Sequence, residues 1–115
     1  MGRITTHILD TANGRPAAGV ALRLYRLEPQ REQVAATRSN ADGRSDETLL
    51  SGAEMMTGSY ELEFDMGEYF AASGAELSDP AFLGTIVIRF AVNADEHYHV
   101  PLLATPWSYS TYRGS

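Results

Sequence analysis

The chain has 115 residues, 43% of them hydrophobic, and a formal net charge of -6. That length predicts a single domain over residues 1–115 whose core closes without staples, and the lack of cysteine removes disulfides, thiolate catalysis and cysteine-held metals. Every basic residue is Arg, and an acidic surface repels phosphate backbones and anionic lipid, so neither nucleic acid nor membrane is an expected partner.

The opening MGRITTHILD has no leader-type apolar run, and no stretch of the chain is long enough to span a bilayer, so the expected location is the cytoplasm. Gly2 and Thr6 fit the loose N-myristoylation pattern, but an alternating strand begins at once. In it Ile4, Thr6 and Ile8 share one face, and Thr5, His7 and Leu9 the other. TANGRPAAG then supplies Asn13-Gly14 and Pro16 as a turn. VALRLYRL puts Val20, Leu22 and Leu24 on one side, EPQRE is a polar loop, and QVAATR is a weak strand. Asp42-Gly43 in SNADGR suits a tight turn and delivers Arg44 directly after it. GSYELEFDM is the clearest strand, with Tyr60, Leu62, Phe64 and Met66 alternating against Glu61, Glu63 and Asp65. GEYFAASGAEL breaks the alternation and predicts a helix of about two turns. TIVIRFAV and HYHVPLLA are the next strands, separated by the NADE turn, and after Pro106 the aromatic WSYSTYRGS reads as a terminal strand. Seven or eight strands at this length predict an all-β sandwich of two sheets with one short helix.

The residues able to carry chemistry are few. His97 and His99, two apart on a strand, present their imidazoles on one face. Such a pair suits a metal if a third ligand joins it, and otherwise suits ordinary hydrogen bonding. Arg44 and Arg113 read either as solvated charges or as planar forks able to clamp a carboxylate, imide or enolate. If these arginines and two histidines converged, they would form a cationic pocket for a planar anion, with imidazoles to activate water and Gly114 and Ser115 closing it. Spacing alone leaves that convergence open. Ser115 as a hydrolase nucleophile lacks a G-x-S-x-G elbow. Trp107, Tyr109 and Tyr112 would line either a sugar site or a packed interface.

THILD, DGR, GEYF, HYHVPLL and above all the terminal YRGS resemble the transthyretin-related 5-hydroxyisourate hydrolases, in order and along essentially the whole chain. FLGT and LLATPWSYS vary stretches beside these motifs. The resemblance implies a transthyretin-like two-sheet β-sandwich of about eight strands and one short helix. It also implies a homotetramer, a dimer of dimers with active sites in the cleft between dimers. The implied reaction is hydrolysis of 5-hydroxyisourate to 2-oxo-4-hydroxy-4-carboxy-5-ureidoimidazoline in urate degradation, with no cofactor and no metal. The positions that carry over are His7, Arg44 and His99, with Tyr112, Arg113, Gly114 and Ser115 from the terminal motif. His97 is left as a structural hydrogen-bonder. A transthyretin-type carrier and an adhesion module are the alternatives, and the histidine–arginine set with the YRGS ending favours the hydrolase.

Overall fold

The computed structural model describes residues 2–114. Ser115, expected in the site, lies outside the described residues. The elements run β1 (Arg3–Asp10), β2 (Arg15–Pro16), β3 (Ala21–Arg26), β4 (Glu32–Arg38), β5 (Leu50–Ser51), a short 3-10 turn (Gly52–Glu54), β6 (Gly58–Asp65), α1 (Met66–Ala72), β7 (Thr85–Val92), β8 (His97–Ala104) and β9 (Tyr109–Thr111). One sheet has the order β2-β1-β8-β9 with β5 also on β1, and the other has the order β4-β3-β6-β7. The expected sandwich with one short helix is present.

The period-two pattern sets which face is buried. Ile4 and Ile8 of β1, Leu22 and Leu24 of β3, and Tyr60, Leu62 and Phe64 of β6 are fully or almost fully buried between the sheets. Burying Leu62 or Phe64 contributes roughly 1.5–3 kcal/mol each, so a one-residue register slip that exposed that face would cost several such contributions at once. Outward on the second sheet, Arg23 reaches Asp65 with both terminal nitrogens at 3.1 and 2.9 Å.

Three details depart from or add to the sequence pattern. Met66, read as the end of a strand, starts α1 and is still buried. The two-residue strands β2 and β5 arise only because β1 offers them a partner. The terminal strand WSYSTYRGS is broken: its ladder covers Leu102–Ala104 opposite Tyr109–Thr111, stops, and resumes as a single bridge between His99 and Gly114. Pro101 explains the interruption. Its carbonyl accepts from Thr111 Oγ1 at 2.7 Å, which puts its missing N–H on the β9 side, where no bond can form.

Asp10 is fully buried at the end of β1. It accepts from Asn13 N at 3.0 Å, Asn13 Nδ2 at 2.8 Å and the Tyr69 hydroxyl at 2.7 Å. Burial alone pushes this carboxyl up, but the bonds from Asn13 and Tyr69 outweigh it and hold the group below its ordinary 3.8. Its contribution is therefore complete above 3.8 and is lost as pH falls through the lower folded value. Tyr69→Phe removes the tie between α1 and β1 and is expected to cost about 1–3 kcal/mol. Urea unfolding at neutral pH would show it as a lower midpoint with an unchanged slope.

Candidate active site

Parallel pairing of β1 with β8 builds the site. Arg3 stands beside His97, Thr5 beside His99 and His7 beside Pro101, so the outward face of β1 lies along the two histidines. The Asp42-Gly43 turn then docks against β1, with Ile8 N donating to the Gly43 carbonyl at 2.7 Å. Gly43 has φ +77, and a Cβ there would meet the Ile8 carbonyl oxygen at 2.3 Å. Only glycine satisfies both the left-handed backbone and that approach, and Arg44 is placed by the consequence.

The result is an open cleft of about 440 Å³ with Arg3, Thr5, Arg44, His97 and His99 in its lining. Seven of the nine arginines pair with carboxylates. Arg3 and Arg44 are the two without a carboxylate partner among the described residues, and both line this cleft. The lining also holds Asp46 and Glu47, and two guanidiniums beside two imidazoles are groups able to receive an anion there. Sequence reasoning missed Arg3, whose signal was its place on the same strand face as Thr5 and His7.

His7 lies at the margin, outside the lining, and its Nε2 donates to the Asp42 carbonyl at 2.9 Å. A carbonyl can only accept, so neutral His7 carries its proton on Nε2, and its Nδ1 is an acceptor. His99 is pushed below the ordinary imidazole value by burial first, then by the charges of Arg44, His97 and His7. Burial, Arg3 and Arg113 act the same way on His97. Both rings are thus neutral, proton-accepting groups near pH 7. The two ring centroids are 6.1 Å apart, and no three side chains among the described residues cluster as a metal site would require.

The tail divides between two places. Gly114 N donates to the His99 carbonyl at 2.7 Å, and a Cβ on Gly114 would sit 2.7 Å from His99 Cδ2, so the imidazole lies directly against it. Arg113 is turned the other way. Its Nη2 donates to Glu96 Oε1 at 2.8 Å and to the His97 carbonyl at 3.2 Å, and its guanidinium stacks over Tyr98. Tyr112 is exposed and borders a separate hollow with Ile88, Phe90 and Val100. The cleft therefore gathers Arg44 and His99 with His7 and Gly114 adjacent, while Tyr112 and Arg113 stand outside it.

Residues 4–114 match the model of the Transthyretin family, described as the HIUase/Transthyretin family. The chain belongs to that family. It is 52% identical over 117 residues to the 5-hydroxyisourate hydrolase of Pseudomonas aeruginosa, covering 100% of this chain and 93% of that one. Among solved structures, 5-hydroxyisourate hydrolase from Klebsiella pneumoniae superposes with a TM-score of 0.83 at 38% identity, with 100% of both chains covered. An (S)-allantoin synthase superposes with a TM-score of 0.94 at 48% identity; the match covers 99% of this chain and 44% of that one.

Proposed function

We propose that this family member is a 5-hydroxyisourate hydrolase that opens its substrate to 2-oxo-4-hydroxy-4-carboxy-5-ureidoimidazoline. The observation that carries the reading is the cleft in which the two uncommitted arginines meet His99. The relatives so named support it, matched over 93% and 100% of their own lengths. A flat, oxygen-rich, partly anionic substrate is held by Arg44, with Arg3 in the same cleft lining. His99, neutral for the reasons above, accepts a proton from water as its oxygen bonds to the ring carbonyl carbon. The guanidinium offsets the charge that develops on the carbonyl oxygen. Collapse of that intermediate breaks the ring C–N bond, and the proton passes to the departing nitrogen. His7 completes the polar set from the margin. Gly114 lets the tail close against His99, and Tyr112, Arg113 and Ser115 belong to the proposed site through the YRGS motif. The test is the loss of ultraviolet absorbance of freshly generated 5-hydroxyisourate. Catalysed decay supports the reading, and decay no faster than without protein refutes it.

The reading includes a homotetramer, which would bring the outward-turned Tyr112 and Arg113 against neighbouring copies. The β7 edge and the exposed Phe82, Trp107 and Tyr109 are the surfaces open to such pairing. Light scattering is expected to give a mass near four times 12.6 kDa; a monomer at micromolar concentration would contradict it.

Because the base must be neutral, activity rises with pH through the His99 ionisation. The lowered value places the midpoint of that rise below about 6.5. Arg44→Gln removes a positive neighbour and is expected to move the midpoint upward, which a kcat–pH profile of the two proteins reads directly.

A further inference from the structure

Thr5 Oγ1 lies 2.7 Å from His97 Nε2 and 2.8 Å from His99 Nδ1. A hydroxyl has one proton and two lone pairs; among the described residues Thr5 Oγ1 meets no acceptor besides the two rings, so its proton goes to one ring and its oxygen accepts from the other. If Thr5 donates to His97 Nε2, His97 keeps its own proton on Nδ1. The Thr5 oxygen then accepts from His99 Nδ1–H, and His99 Nε2 is left bare. The reverse arrangement puts both ring protons on Nε2. In that case His99 Nδ1 is engaged as an acceptor and the ring has no lone pair left for water. The neutral rings therefore change tautomer together, through one oxygen atom.

We propose that Thr5 is a positioning residue that locks His99 in the Nδ1–H tautomer, with His97 as the anchor that receives the Thr5 proton. The inference rests on the reading of His99 as the group that accepts a proton from water. It gives His97 a task without substrate contact. Thr5 suits this task because its branched Cβ restricts χ1, so the hydroxyl is presented in a preset direction, and the parallel register holds it beside His99. The charged groups around the pair are Arg3, His7, Arg44 and Arg113, with Asp46 and Glu47 in the cleft lining. After burial, the charge of Arg44 does most to keep the His99 ring neutral, so one of its two nitrogens stays bare.

The experiment reads the ring nitrogens of His97 and His99 by long-range ¹⁵N–¹H correlation in the protein without substrate, beside kcat and KM for 5-hydroxyisourate. Wild type is expected to show both rings as Nδ1–H. Thr5→Val, nearly the same shape without the hydroxyl, is expected to release His99 to a mixture weighted toward Nε2–H. Its kcat should fall on the order of 10-fold at little change in KM. Thr5→Ser, which restores the hydroxyl, is expected to recover both the spectrum and most of the rate. Both rings found as Nε2–H in wild type would overturn the proposal, as would a His99 tautomer indifferent to Thr5→Val. The wild-type spectrum decides even if the valine variant does not fold. A protein that shows the locked tautomers but never accelerates decay of 5-hydroxyisourate would sink the proposed function and leave the Thr5 lock standing.

Discussion

His99→Asn is expected to lower kcat for 5-hydroxyisourate by about 100-fold or more while the sandwich stays folded. The ring is half-buried on the outward face of β8, outside the apolar core. Asparagine keeps a polar side chain able to bond Thr5, so folding has little reason to suffer. What it lacks is a group that ionises near neutral pH. The loss should fall on kcat more than on KM, since the proton is transferred only as the reaction proceeds. His7→Asn should also lower kcat, because His7 contributes an imidazole held beside the Asp42 turn. Arg44→Lys should weaken turnover although charge is kept, because an ammonium cannot reproduce the planar fork. A fully active His99→Asn protein would falsify the assignment of the base.

Removing residues 112–115 is expected to collapse turnover with the β-sandwich still folded. The core lies between the sheets and, among the described residues, includes none beyond Ala104, so the deletion takes little apolar burial with it. It does take the Gly114 bond to the His99 carbonyl, the surface against which the imidazole rests, and the Arg113 bonds to Glu96 and the His97 carbonyl. Both histidine positions thus lose a backbone or side-chain brace. Gly114→Ala isolates one part of this. Its methyl group would have to enter space held by the His99 ring at 2.7 Å, so either the ring turns or the tail detaches. A kcat loss on the order of 10-fold is expected, in keeping with the sensitivity of catalysis to small misplacements, at a nearly unchanged melting temperature. Near-normal turnover by the truncated protein would show that the tail has no part in the site.

Strand existence was legible because burial on one face forces a period of two, and β7 and β8 fall on the predicted TIVIRFAV and HYHVPLLA segments. The helix was legible because its segment lacks that period. What the pattern does not encode is which strand lies beside which. β1 and β8 are separated by most of the chain, yet they pair in parallel over eight residues, and that register alone carries Thr5 to His99 and Arg3 to His97. The β2 and β5 pairings were invisible for the same reason, being two residues long and stabilised only by the partner.

By itself the sequence determined the alternation that makes a sandwich, the lack of any thiol chemistry, and the presence of imidazoles and guanidiniums in motifs shared with a family of hydrolases. Those are properties of residue type and local spacing, which the chain carries in every conformation. Tertiary structure alone decided that Arg3 and Arg44, of nine arginines, have no carboxylate partner among the described residues, that Arg113 braces β8, and that one threonine hydroxyl joins two histidines. The reason is geometric. Hydrogen bonds act over about 3 Å, and only the folded register brings groups far apart in the chain within that reach.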